Sequence, residues 1–466
     1  MILKQFIIIA PELMLTVMTM IGQLFAAFYA KENKTTINTI IVFSAALIFF
    51  ILQIPSVEMS GFEGSFLINA YTKTFKIIVL GLMVMNIIIY QDLCEITNKE
   101  IKIEYVTLIT LSTLGILVSI SSRNFLLLFC GLELQALSAY AMAAFNSSNY
   151  KSSEAALKYF VLGVLLSCIT LFGMSFIYGF SGSLEYNSTL ELLNLEEKNI
   201  GLIIGVVLLI SGILFKLSAA PLHMWTPDVY EGAPIISVTY FSTTQKVGAL
   251  AILLNVLTFV VSDYKQISVD LIRIVAILSM IIGAFGAIGQ KSLKRLMAYS
   301  TILNTGYVLI GIALHNQAGE YAAQLYMIIY VIGAIGFFSC LIALLGAKAD
   351  DATFEDIKGI ASSRKTIAAV ISLIMFSMIG IPPLAGFFGK YYILYQAVLV
   401  KEFTLTGVGI LSSVISAYYY LKVIRSMYFF EESAESANRI ATQRGLMLVT
   451  SASVTFIILF PYFLFN

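Results

Sequence analysis

An α-helix needs about 20 apolar residues to cross a bilayer. Stretches of that kind recur fourteen times along this chain, centred near residues 17, 46, 82, 112, 134, 167, 209, 248, 279, 304, 331, 382, 416 and 454. In hydrocarbon every backbone N–H and C=O must bond within the protein, which leaves helices and closed barrels as spanning structures. Runs this long predict helices, so the expected fold class is an all-α polytopic membrane protein of about fourteen transmembrane helices. Composition points the same way. Of 466 residues, 59% are hydrophobic and 12% charged, against roughly a quarter charged in soluble domains. The longest connections, about 55–73, 181–199 and 346–365, are too short for a separate soluble unit. The chain therefore reads as a single membrane domain over 1–466. The N-terminal stretch MILKQFIIIAPELMLTVMTMIGQLF is apolar for too long to be a signal peptide and lacks a small-residue cleavage pattern. It reads as a first membrane helix that stays.

Several function classes drop out at this level. A net charge of +1 gives no case for nucleic acid. Cys94, Cys130, Cys168 and Cys340 are far apart in apolar runs, which rules out a CxxC metal or cluster motif and predicts buried thiols acting as small hydrophobes. His223 and His315 offer no haem-ligand pair, and GAFGAIG at 283–289 lacks the spacing of a dinucleotide loop. The expectation is no metal and no cofactor bound by this chain.

Lys and Arg set the orientation of a membrane protein. With the N-terminus outside, odd-numbered connections face inward, and they collect most of the cations: Lys31, Lys34, Lys99, Lys102, Lys151, Lys291, Lys294, Arg295, Lys348, Lys358, Arg364, Lys365, Lys422, Arg425, Arg439 and Arg444. The outward connections hold only Lys4, Lys73, Lys76, Arg123, Lys198, Lys265 and Lys401. Both termini are expected outside.

Charges inside the bilayer cost upward of about 2.5–3.5 kcal/mol each at a helix centre and are kept where they face protein or water. Glu133 lies near the middle of its run, 124–145, and Lys246 near the middle of 235–261. Two readings fit both: a working proton site, or a static buried ion pair that fixes packing. Lys216 ends a charge-free run and stands five residues before Pro221. Proline removes a backbone donor and clashes with the preceding turn, and broken backbone is tolerated in a membrane only where it is buried in protein or lines a wet cavity. Lys216 therefore reads as facing such a cavity, or else as snorkelling. Pro382 and Pro383, flanked by Gly380 and Gly386, interrupt a second run over 367–400, and Lys390 follows. Lys158, about a turn inside its helix, has Glu154 four residues earlier as a partner on the same face. His223 is placed either to relay a proton near neutral pH or to bond a freed carbonyl at the break. Glu12, Asp92 and Arg273 read as helix-end residues. Burial disfavours the charged form of an amine and a neighbouring carboxylate restores it, so buried lysines and an acid can pass a proton as their spacing changes.

The interrupted helices are the seventh and twelfth, five apart. Broken helices at matching places in inverted repeats are a transporter pattern. Five-helix units formed by helices 4–8 and 9–13 would put both breaks at equivalent positions, giving three N-terminal helices over 1–98, repeats over 99–261 and 262–430, and a last helix over 431–466.

At these residues the chain resembles a known family. FKLSAAPLHMWTPDVYEGAP, GLELQALSAYAMAAF, QKSLKRLMAYSTILNTGY and GIPPLAGFFGKYYILYQA are similar to the subunit N family of the proton-pumping NADH:quinone oxidoreductase, respiratory complex I. The likeness covers roughly residues 100 to 430. Subunits L and M and multisubunit cation/proton antiporters share the PLHxWxPD core; the TPDVYEGAP continuation and the lysine after GIPPLAGFFG favour N. The resemblance implies a fourteen-helix antiporter-like subunit in which Glu133 and Lys216 form a modulating pair with Lys158 beside them, Lys246 is the central relay and Lys390 the exit-side one. It implies flavin, iron–sulfur clusters and quinone in partner subunits and none here, with other membrane subunits of the complex and lipid as neighbours. It implies a bacterial cell inner membrane, or a mitochondrial inner membrane for organelle-encoded members. Two residues depart from the pattern. Asn304 stands where most relatives have histidine, which puts a histidine-dependent step in doubt. Gln245 stands where many have proline, so a smaller helix distortion is expected before Lys246. The alternatives are a Na+/H+ antiporter subunit and a purely structural membrane subunit.

Overall fold

The computed structural model describes residues 2–28, 33–55, 57–186, 200–260, 265–431 and 443–465. It is built from helices α1 (Ile2–Phe28), α2 (Asn33–Gln53), α3 (Ala70–Thr97), α4 (Ile103–Ser121), α5 (Phe125–Ala143), α6 (Tyr150–Ser181), α7 (Ile200–Lys216), α8 (Trp225–Gly232), α9 (Ile235–Ser242), α10 (Thr244–Val260), α11 (Lys265–Ile288), α12 (Leu293–Ala313), α13 (Gln317–Leu345), α14 (Lys365–Ile379), α15 (Ala385–Leu399), α16 (Phe403–Tyr428) and α17 (Arg444–Phe465). Among the described residues ten helices are long and apolar enough to cross a membrane, and α7, α14 and α17 are shorter apolar helices. Every centre marked in the sequence lies in a helix except that near 382, which falls in the break between α14 and α15.

Local chemistry sets the boundaries. Asn69, Asn124, Asn149, Ser292 and Asn316 each cap a helix start, accepting a backbone N–H through the side chain, as short polar residues do at N-caps. Gly182 and Gly380 end α6 and α14 in the left-handed conformation, which glycine adopts without steric cost.

Counting the halves of an interrupted helix together, the connections fall into two sets, each bonded within itself. At the even-numbered end, Arg123 N–H donates to Ser65 O (2.8 Å), Phe125 N–H to Leu184 O (2.9 Å) and Tyr186 N–H to Arg123 O (3.0 Å). At the odd-numbered end, Leu293 N–H donates to Ala352 O (3.0 Å), Gly359 N–H to Ser426 O (3.0 Å) and Lys422 Nζ to Gln290 O (3.1 Å), and Lys151 pairs with Asp351 at 2.7 Å. Of the cations used to orient the chain, Lys31, Lys198 and Arg439 lie outside the described residues.

Four features correct the sequence reading. The connection after α2 carries a small antiparallel hairpin, β1 (Met59–Gly61) with β2 (Phe66–Ile68). Its Phe66 and Ile68 pack with Ile8 and Ile54, so a two-residue-period pattern was hidden in a loop. The run 235–261 is not one helix: α9 ends and α10 begins at Thr243, with φ −119° and ψ −83°. Proline is not needed there. The Thr243 hydroxyl donates to Thr239 O (2.6 Å) and accepts from Asn86 Nδ2 (3.3 Å), a local competition with the helix ladder. Cys130 and Cys168 are exposed while Cys94 and Cys340 are buried, because the first two sit on the outward faces of α5 and α6. Lys158 lies two turns inside α6, not one.

Burial is uneven. α12 and α13 are enclosed over almost their whole length, whereas α1, α2, α6 and α16 keep broad apolar faces open. Lipid tails are as apolar as leucine, so helices associate in membranes through close packing and small residues. α11 and α12 show this: a Cβ on Gly283 would lie 2.4 Å from Leu303 N, and one on Gly306 2.7 Å from Met280 Cγ. Across the second break, a Cβ on Gly386 would lie 1.8 Å from Ser377 O.

Gly386→Ala is therefore expected to lower stability by about 1–3 kcal/mol through overpacking, read as a lower melting midpoint of the purified protein in detergent. Gly81→Ala, where a Cβ meets nothing within 4 Å, should leave the midpoint unchanged or raised.

Candidate functional site

Two of the buried lysines, Lys246 and Lys390, are organised by the two helix breaks. α7 ends at Lys216, and the chain runs irregularly to Trp225. Helix ends leave carbonyls without intrahelical partners, and here each has a donor. Phe215 O accepts from Trp225 Nε1 (3.0 Å), Lys216 O from Lys246 Nζ (2.9 Å), and Leu217 O from Thr305 Oγ1 (2.9 Å). On the far side, Ala220 N–H donates to Ser279 Oγ (2.8 Å). Ser218, at φ +64°, turns its hydroxyl to Lys246 Nζ and Thr226 Oγ1. The Lys246 side chain, fully buried, ends 5.0 Å from the Trp225 ring centre. An ammonium over an aromatic face is a favourable contact in a dry site.

The second break repeats the arrangement. α14 ends at Ile379, and Lys390 on α15 reaches back so that Nζ donates to Met378 O (2.9 Å), Ile379 O (3.1 Å) and Ser413 Oγ (3.4 Å). It lies 5.1 Å from the Tyr307 ring centre and is buried. Pro382 and Pro383 form the break itself with Gly380 as the cap of α14. Pro221 is exposed at the first break.

Between the two lysines stands α12, with a polar stripe on a buried helix. Thr305 bonds the first break. Asn304 accepts from Tyr326 Oη (2.5 Å) and donates Nδ2 to Ser300 O (2.7 Å) and Tyr420 Oη (3.3 Å). Ser300 Oγ and Tyr420 Oη are 2.6 Å apart, and Tyr307 Oη donates to Gly409 O (2.5 Å). Tyrosine and serine hydroxyls thus occupy the surroundings of Asn304.

Glu133 and Lys216 share a small cavity with Ser167, Thr170 and Gly212, with space for about one water-sized sphere. No ion pair within 4.0 Å joins them. Glu133 Oε1 accepts from Ser167 Oγ (2.5 Å), and Lys216 Nζ donates to Leu132 O (3.3 Å). Lys158 is not beside them. It pairs with Glu154 and Asp228, each at 2.9 Å, in a charged cluster at the odd-numbered end that includes Arg295 and Glu231 at 2.6 Å. His223 is half-buried in the first break, its Nδ1 without a hydrogen-bond partner and its ring unbonded to either lysine. Gln245 is buried, its Oε1 accepting from Tyr159 Oη (3.4 Å).

Sequence reasoning missed one pair. Glu12 on α1 and Lys76 on α3 form an ion pair at 2.6 Å with side chains 4% and 1% exposed. Both were taken as end or loop charges, but the β1–β2 hairpin folds over them, with Lys76 Nζ 5.0 Å from the Phe66 ring centre. Their signal was depth: opposite charges, eleven and seven residues into helices that start at the same end. Arg273 bonds Asp270 (2.7 Å) and Glu402, and Asp92 accepts from Leu446 N–H (2.6 Å), tying α3 to the start of α17.

Comparison with known proteins gives consistent matches. The family model described as NADH:quinone oxidoreductase/Mrp antiporter, TM matches residues 122–416. The chain is 52% identical over 454 residues to the NADH-quinone oxidoreductase subunit N of Rickettsia conorii, covering 97% of this chain and 98% of that protein. Among solved structures it is similar to a chain of respiratory complex I from Thermus thermophilus with bound aureothin (25% identity, TM-score 0.81, 96% and 97% covered). It also shares its fold with a chain of an archaeal membrane-bound sulfane sulfur reductase (22% identity, TM-score 0.85, 97% and 94% covered).

Breaking a buried ion pair strands a charge and costs about 3–5 kcal/mol, whereas replacing both partners by apolar groups is often neutral. Glu12→Ala is expected to depress the melting midpoint strongly, and Glu12→Leu with Lys76→Met to recover most of the loss, in the same detergent melts.

Proposed function

The chain belongs to the NADH:quinone oxidoreductase/Mrp antiporter transmembrane family, and on that premise we propose that it is a proton-translocating membrane subunit of NADH:quinone oxidoreductase, respiratory complex I. Flavin, iron–sulfur clusters and quinone belong to partner subunits in this reading, and this chain moves protons in response to their electron transfer. It crosses the membrane fourteen times, the halves of the interrupted helices counted together. Both termini lie on the outer side of a bacterial inner membrane. Helices α4–α10 and α11–α16 make two inverted five-pass repeats. The separation of odd and even connections into two bonded sets supports the alternation, and the two breaks sit in the fourth pass of each repeat.

The observation that carries the relay is the matched bonding of Lys246 and Lys390. Each ammonium rests on carbonyls at the end of a broken helix, with the hydroxyls of α12 between them. A lysine held only by neutral dipoles can release its proton without leaving a carboxylate unpaired. Movement of a carbonyl or of Glu133 changes the affinity for that proton, since a charge nearby favours one protonation state. In this scheme Glu133 acts on Lys216 across their shared cavity. Lys216 is joined through its own carbonyl to Lys246, and the hydroxyl thread beside Asn304 leads on toward Lys390 and the outer side. Asn304 orients hydroxyls and carries no proton itself. Lys158 holds the inward-facing ion cluster, and His223 stands at the first break.

Lys246→Ala is expected to leave the complex assembled on native gels, with its flavin and iron–sulfur subunits retained. Proton uptake into inverted membrane vesicles on NADH addition should fall by about 10²-fold, with coupled quinone reduction falling beside it. Full pumping by the assembled variant would reduce the subunit to a structural role. Purification without flavin and iron–sulfur subunits, together with sodium/proton exchange, would mark an antiporter instead. Cysteines placed at positions 291 and 348 should react with an impermeant reagent from one face of the membrane, and those at 63 and 401, exposed in even-numbered connections, from the other.

A further inference from the structure

A cavity of about 900 Å3 opens at the odd-numbered end between the last turn of α13, the start of α14 and the first three turns of α17. None of the relay residues lines it. Its chemistry is graded. The mouth carries Ser362, Ser363, Arg364 and Lys365, and among the described residues no acidic side chain lines it. Arg364 Nη1 lies against Ala343 O and Leu344 O (3.3 and 3.4 Å), which fixes its charge at the cavity wall. Lys365 is exposed at the rim. Deeper, Val370 on α14 and Val454 on α17 line the wall beside Thr450, Ser451 and Thr455, and the Thr450 and Ser451 hydroxyls are turned to backbone carbonyls of their own helix. The lining on α17 runs from Leu446 to Thr455, about 13 Å along the helix axis. That depth leads from helix ends, at headgroup level, into the hydrocarbon.

A soluble anion has no use for a groove of that length, and a zwitterionic lipid gains little from two cations. Basic pockets between helix ends suit anionic headgroups. We infer that this cavity binds an anionic phospholipid, its phosphate at Lys365 and Arg364 and its acyl chains between α14 and α17.

The test uses the purified, delipidated full complex, with native mass spectrometry following added phosphatidylglycerol or phosphatidylcholine. Phosphatidylglycerol is expected to be retained more tightly. At about fivefold per surface cation, Arg364→Gln with Lys365→Gln should weaken it by about 25-fold and leave phosphatidylcholine unchanged. Val454→Trp, which fills the deeper part of the cavity and keeps both charges, should weaken both lipids. Inorganic phosphate at millimolar levels should displace neither. Equal retention of the two lipids by the wild type, or displacement by phosphate, would overturn the inference. So would phosphatidylglycerol binding that appears only after residues 432–442 are deleted, since that acidic segment of the chain would then be the occupant.

Discussion

An interrupted helix inside a bilayer must find donors for the carbonyls its break releases, because no water is there to supply them. The rest of this structure follows from how that demand is met. At the first break the donors are an indole, a threonine and Lys246; at the second they are Lys390 and Ser413. A cation at the C-terminal end of a helix also complements the negative end of its dipole. Position and charge are therefore selected together. The lysines cannot be withdrawn without stranding carbonyls, and the breaks cannot be straightened without stranding lysines.

Three kinds of buried or half-buried charge coexist in the fold, and they differ in what they can do. Glu12–Lys76 is a closed pair under the hairpin, and moving its proton would strand one partner. The cluster of Lys158, Asp228, Arg295 and Glu231 is a solvated network at a membrane face, where individual pairs contribute little. Lys246 and Lys390 are bonded to neutral groups alone. A lysine of this last kind can change protonation without breaking an ion pair.

The helices were legible because long apolar runs admit few structures, and the breaks because proline and glycine interrupt them. Lys246 was legible from depth within its run, and Lys390 from its place after the second break. The break at Thr243 was not, because it is made by hydroxyls and Asn86 from a distant helix rather than by a residue that forbids helix. Glu12–Lys76 was hidden for a related reason: a hairpin closes over the pair, and two strands of three residues leave almost no period to read. The expected contact of Lys158 with Glu133 came from resemblance alone. The structure instead gives Lys158 the nearer carboxylates, Glu154 and Asp228. Glu133 and Lys216 do meet one cavity, but through Ser167 and Leu132 O rather than through each other.

The close seam between α11 and α12 bears on how such a chain is made. α12 carries Ser300, Thr301, Asn304 and Thr305 on a helix that touches lipid almost nowhere. Released singly from the insertion machinery, it would present those groups to hydrocarbon. Gly283 and Gly306 let the more apolar α11 press against it at backbone distance, so the two are suited to leave for the bilayer as a joined hairpin, with the first helix chaperoning the second until α13 and α16 arrive.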